Sequence, residues 1–154
     1  MIKQETGGSI VFIASIAGHR IVLPLAAMAY SFAKAGLLQL KSNLAVEWAR
    51  HGIRVNSISP GFMDTSMLQA DRLGLRSTWE ARIPMGRIGD PSDLAGAIIL
   101  FCSPAGRYIT GVDMIVDGRS PLHFLAHHYR ECFSRWRSCI ILNLPCFSEQ
   151  SQFP

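Results

Sequence analysis

Apolar residues follow three patterns along this chain, and each predicts a different element. Residues 9–14, Ser-Ile-Val-Phe-Ile-Ala, form a nearly continuous apolar run rich in β-branched side chains. A strand covered on both faces reads this way, so an interior parallel strand is expected. Over 27–51 the period lengthens. Leu37, Leu40, Leu44 and Trp48 recur at three- and four-residue steps with Phe32 ahead of them, and Gly52 follows as a stop. That spacing predicts a long helix. Residues 53–58 return to strand character. Pro60-Gly61 then forces a turn at the carboxyl end, the end where open parallel sheets bind ligands.

Farther along, 67–87 is mixed and weakly periodic, with Trp79 and Met85 among charges. Two readings fit it: a mobile lid, or a surface helix whose Trp79 packs on the body. Asp90-Pro91-Ser92-Asp93 looks like a helix cap followed by proline at the first helical position, opening an apolar helix over 94–102. Residues 106–111 turn the chain, and 112–116 form a last short strand closed by Asp117-Gly118. Strands alternating with helices argue for parallel crossover units.

Composition narrows the class without naming a reaction. The 154 residues give room for one domain, and 49% hydrophobic with 17% charged residues suits a packed globule. No apolar run approaches the roughly 20 residues that span a bilayer, so no membrane role is expected. The opening Met-Ile-Lys-Gln-Glu-Thr carries an acid and runs straight into a strand, which does not read as a secretory signal; the expected location is cytoplasmic. A net charge of +4 suits an anionic small molecule and is too scattered to argue for nucleic acid. Cys102 lies in the body and Cys132, Cys139 and Cys146 lie beyond it, giving neither a disulfide framework nor paired zinc ligands, so no metal is expected.

The chemistry centres on Tyr30-Ser-Phe-Ala-Lys34, fifteen residues after Ser15. Residues four apart share a helix face, so the Lys34 ammonium can lie beside the Tyr30 phenol and favour phenolate. An ordinary tyrosine titrates near 10 and is only about 0.1% ionised at neutral pH. One that exchanges protons near pH 7 benefits from such a neighbour. Ser15 can supply a hydroxyl that holds a substrate oxygen. Alone, the pair is more often a half-buried ring beside a solvated amine, and its context decides.

That context is Gly8-Ser-Ile-Val-Phe-Ile-Ala-Ser15-Ile-Ala-Gly18, Ala29-Tyr30-Ser-Phe-Ala-Lys34-Ala-Gly, Gly52-Ile-Arg-Val-Asn56-Ser-Ile-Ser-Pro60-Gly61-Phe-Met-Asp64-Thr65, and Val112-Asp-Met-Ile-Val-Asp117-Gly118. Four ordered motifs resemble the C-terminal half of the short-chain dehydrogenase/reductase family. The resemblance implies an α/β fold: the C-terminal part of a Rossmann-like, doubly wound parallel sheet, about three strands with their helices. It implies that Tyr30 is the general acid/base, that Lys34 binds the nicotinamide ribose and makes the phenol easier to ionise, and that Ser15 orients the carbonyl or alcohol. Pro60, Gly61 and Thr65 would lie against an NAD or NADP cofactor; the plain alternative for Thr65 is a helix cap. Residues 67–87 would cover the substrate. The run from Ala29 to Ala49 looks especially like polyol dehydrogenases and ketose reductases of fungal type, such as D-arabinitol 2-dehydrogenase and sorbose or xylulose reductases. A small alcohol or ketone is the implied substrate, and dimers or tetramers through the long helix are the implied assembly.

What the resemblance lacks is equally specific. Among the 13 glycines no two are separated by a single residue, so neither Gly-x-Gly-x-x-Gly nor Gly-x-x-x-Gly-x-Gly can be written. Such a turn brings backbone up to a cofactor pyrophosphate. The asparagines are Asn43, Asn56 and Asn143, so the family's Asn-Asn-Ala-Gly segment is missing too. A truncated form is expected, with the strand over 9–14 deprived of a neighbour and its edge open to association. Two domain spans follow: 1–118, the family-like portion, and 119–154, a divergent tail with no recognised domain. In the tail, His123, His127, His128 and Cys132 form a weak candidate metal set, and Arg130 to Arg137 with Phe133 and Trp136 read as a solvated basic face before a membrane or nucleic-acid surface. His19 lines the substrate pocket or belongs to a loop surface. Two functional classes therefore stand: an NAD(P)-dependent oxidoreductase, and a catalytically silent chain that associates with full-length subunits.

Overall fold

A computed structural model describes residues 1–22, 27–69 and 74–119. In it three parallel strands, β1 (Gly8–Ile13), β2 (Ile53–Pro60) and β3 (Asp113–Val116), pair in the order β1-β2-β3. Between them run α1 (Met28–Trp48), the short α2 (Ser66–Gln69) and α3 (Arg76–Arg82), and α4 (Ala95–Cys102). The register opens at Gly8 opposite Ile53 and at Ser57 opposite Asp113. Glycine makes the first of these possible. A Cβ on Gly7 would stand 2.7 Å from the Gly52 carbonyl oxygen, and both residues have positive φ. Gly8 N–H donates to that same oxygen at 3.1 Å, so the turn that ends the long helix also sets where β1 begins.

Side chains alternate across the sheet and separate its two faces. Under α1, Ala45, Ile53 and Val55 form a buried cluster that Ile10, Phe12, Leu44 and Trp48 complete. On the other face Phe101 of α4 is fully buried, and its carbonyl accepts from Ser9 Oγ at 2.8 Å and Arg54 Nη2 at 2.7 Å. β2 is the true interior strand. Val55, Asn56, Ser57, Ile58 and Ser59 are all fully buried, whereas β1, expected as interior, is half-buried and forms an edge among the described residues. Its pattern is that of a covered strand, but among the described residues only β2 pairs with it.

α1 differs from expectation in what it buries. Phe32 is 81% exposed and Leu40 44%, while Lys41 and Ala45 face inward. Lys34 and Lys41, two turns apart on one face, donate to the carbonyls of Ile13 at 2.8 Å and Gly111 at 2.6 Å. Ile13 lies at the carboxyl end of β1, whereas Gly111 lies just before β3 and donates to the Val55 carbonyl at 2.8 Å, so the two amines reach carbonyls at different depths of the sheet. The helix over 94–102 begins as a 3-10 turn, Pro91–Leu94. Asp90 accepts from Ser92 N–H and Asp93 from Asp90 N–H, each at 2.8 Å, so the expected cap is reciprocal. No helix of the described residues is long and apolar enough to cross a membrane.

Candidate active site

Ser15 follows β1 directly, after Ala14 extends the pairing through its N–H to the Ile58 carbonyl at 2.7 Å. It caps a 3-10 turn, Ile16–Gly18, and its Oγ accepts from Ala17 N–H at 3.1 Å. Ser15 is 8% exposed, and among the described residues its hydroxyl proton is given to no protein acceptor, so it can donate to a ligand oxygen. Gly18 brings this turn against α1. A Cβ there would come within 2.9 Å of the Lys34 carbonyl carbon and 3.0 Å of the Ala35 nitrogen, which only glycine avoids.

Tyr30 and Lys34 lie in the first two turns of α1. The Lys34 ammonium sits 5.5 Å from the centre of the Tyr30 ring and donates to the carbonyl of Ile13, two residues before Ser15. The amine is thus over the ring while tied to the end of β1, and cation–π attraction holds the pair. The phenol is partly open to solvent, with Tyr30 44% exposed. The structure therefore brings the Ser15 turn, Lys34 and Tyr30 to the carboxyl end of β1.

Pro60 ends β2 at the neighbouring position. Gly61 N–H donates to the Val116 carbonyl at 2.9 Å, and a Cβ on Gly61 would stand 2.6 Å from that of Asp117. The turn after β2 and the turn after β3 therefore pack backbone to backbone. Thr65 lies farther out, exposed at the start of α2, with no hydrogen bond to its hydroxyl among the described residues. Beyond it Trp79 of α3 is 3% exposed and stacks on Phe62, ring centres 4.4 Å apart and planes 12° from parallel. Residues 76–82 are a helix whose Trp79 packs on Phe62.

Sequence reasoning missed a polar network under the Ser15 turn. His19 Nε2 lies 2.9 Å from Asp113 Oδ2 and 3.1 Å from Ser59 Oγ. Ser57 and Ser59 both donate to Asp113 Oδ1. Next to His19, Arg20 Nη2 meets Asp117 Oδ2 at 2.9 Å, with only 14% and 8% of the two side chains exposed. His19 is thus neither free loop surface nor an unpartnered pocket residue. One signal was present: Asn56, Ser57 and Ser59 are polar residues inside an otherwise apolar strand. The tail candidates, His123, His127, His128, Cys132 and the Arg130–Arg137 stretch, lie outside the described residues.

The family described as enoyl-(acyl carrier protein) reductase matches residues 1–118. An NADP-dependent mannitol dehydrogenase of Aureobasidium melanogenum is 42% identical over 116 residues, covering 75% of this chain and 43% of the relative. A sorbose reductase of Schizosaccharomyces pombe is 44% identical over 117 residues, covering 75% and 45%. Among solved structures, a short-chain type dehydrogenase/reductase from Mycobacterium marinum superimposes with a TM-score of 0.74 at 38% identity, covering 79% of this chain and 48% of that one. The chain spans less than half the length of each.

Proposed function

Because this chain belongs to the short-chain dehydrogenase/reductase family, we propose that residues 1–118 carry the proton-transfer half of an NAD(P)-dependent oxidoreductase that interconverts an alcohol and a ketone, with polyols and ketoses as the substrate class. The observation that carries this reading is the tie from Lys34 to both the Tyr30 ring and the end of β1 beside Ser15. It supports three roles. Ser15, whose Oγ is oriented by Ala17 N–H, donates to the substrate oxygen. Tyr30, with its exposed phenol, gives a proton to that oxygen in reduction and takes it back in oxidation. Lys34 spends one of its three donors on Ile13 and keeps two for ribose hydroxyls.

A nicotinamide dinucleotide, when bound, supplies or accepts the hydride. The residues present fit its nicotinamide end: an ammonium with donors to spare and Thr65 exposed beyond the Pro60-Gly61 turn. They hold no Gly-x-Gly turn for its pyrophosphate. A second reading is a silent chain that acts by joining full-length subunits, with residues 119–154 outside the catalytic portion. Titrating the purified protein with NADH and NADPH while assaying ketose reduction separates the two. Turnover that disappears in Tyr30→Phe is expected; no binding at millimolar cofactor would reject independent activity.

A further inference from the structure

We infer that His19 and Arg20 form a latch that positions Ser15, by gripping the start and the end of β3; as a statement about catalysis this rests on the role proposed for Ser15. The grip has two jaws. His19 reaches Asp113, the first residue of β3, and Ser59 of β2. A carboxylate only accepts, so His19 Nε2 carries the shared proton and donates it. Ser59 and Ser57 donate to the other oxygen of Asp113, and both serines are fully buried, so the carboxylate faces three donors from two elements. Arg20 reaches Asp117, just past the last residue of β3. Asp117 also accepts from Arg119 N–H at 2.8 Å and presses its Cα and Cβ on Gly61.

The buried Arg20–Asp117 pair is a poor source of net stability, because desolvation offsets most of its attraction, and the His19–Asp113 contact is open to solvent at the histidine. Their directional content is what remains. Here both pairs issue from consecutive residues immediately after the turn Ser15 caps, and that turn is only three residues long. Gly18 seats it against the Lys34 backbone, His19 ties it to β2 and β3, and Arg20 ties it to the residue that packs on Gly61. The Ser15 turn, α1 with its lysine, and the Pro60-Gly61 turn are thereby held to one another by three anchors. His19, Arg20, Asp113 and Asp117 are positioning residues that act through this frame. Displacing a positioned group by about 1 Å can cost on the order of 100-fold in rate, so a latch of this kind is worth more to turnover than to folding.

The test compares His19→Ala with His19→Gln, which keeps a side-chain N–H for Asp113, in the full chain. Two readouts are taken: residue-resolved amide hydrogen exchange, and kcat and KM for NADPH-dependent ketose reduction. In His19→Ala the Ala17 and Gly18 amides should exchange about tenfold faster while those of Val55 and Ala45 keep their protection. Under the same substitution kcat should fall by about 100-fold with KM changed little, and His19→Gln should restore most of both. Unchanged exchange at Ala17 and Gly18 in His19→Ala, or an equal loss of protection across β2, would overturn the latch. If the unsubstituted chain shows no turnover, the catalytic role of Ser15 falls and exchange at Ala17 still decides whether the latch exists.

Discussion

The turn after β1 and the cover after β2 flank one end of the sheet, yet they are held by different forces. The first is fixed by close backbone approach at Gly18 and by directional bonds that tie it to several elements: Lys34 to Ile13, His19 to Asp113, and the part-buried Arg20 to Asp117. The cover, residues 62–90 as far as they are described, is held by the Phe62–Trp79 stack, the buried Ile83 and Ile88, and backbone bonds of Gly89 with Phe62 and Asp64. Its ion pairs lie at the surface, Arg76 with Asp64 at 2.9 Å and with Glu80 at 3.1 Å, and Arg87 with Asp93 at 2.7 Å. Directional bonds permit one arrangement, whereas a stacked ring tolerates sliding and exposed ion pairs contribute little. The side that would handle the proton is built to be rigid, and the side that would meet the variable part of a substrate is built to adjust.

Removing the buried ring of the cover, Trp79, should have the largest effect. Trp79→Ala is expected to cost about 3–5 kcal/mol in a chemical-denaturation series. Trp79→Phe keeps the stack and removes a buried indole N–H that has no partner among the described residues, and should stay within about 1.5 kcal/mol. A Phe variant as damaging as the Ala variant would place the anchor in the indole nitrogen rather than the ring. Next comes the rigid side. Gly18→Ala forces a Cβ against α1 backbone and should cost about 1–3 kcal/mol, with the Lys34 amide shifted in nitrogen–proton spectra. Full tolerance would mean the turn can move, and the contrast would fail.

Acid gives the smallest effect. The Arg87 guanidinium bonded to Asp93 holds that carboxyl below its ordinary value, and the Ser92 hydrogen bonds do the same for Asp90. A depressed folded-state value means the stabilisation is present above the unfolded value, ordinarily about 3.9, and is lost as pH falls through the lower folded one. The 3-10 turn Pro91–Leu94 should therefore loosen below about pH 4, read as faster exchange of the Asp93 and Leu94 amides. Unchanged exchange there on acidification would separate the cap from these two carboxylates.

Much of this was legible in the sequence because local rules met no opposition. Pro91 after Asp90 signals a capped helix start whatever surrounds it, and Gly52 after a long periodic stretch signals a stop. The order of the motifs was enough to place Ser15, Tyr30, Lys34 and Pro60-Gly61 at strand ends and helix starts. The inward face of α1 was not legible, since no local pattern shows that the carbonyls of Ile13 and Gly111 accept from Lys34 and Lys41. The His19 network was equally hidden. It joins residues 94 positions apart, and no local pattern announces that a strand's serines will meet a histidine from one loop and a carboxylate from another.

The pairing of Arg20 with Asp117 sets a rule for recombining relatives. A segment spanning β1 and the loop behind it cannot be exchanged by itself, because an incoming loop would arrive without its acidic mate or leave a native aspartate stranded in a dry pocket. Productive crossovers should inherit both ends of the pair from one parent, which makes the last strand an obligatory travelling companion of the first.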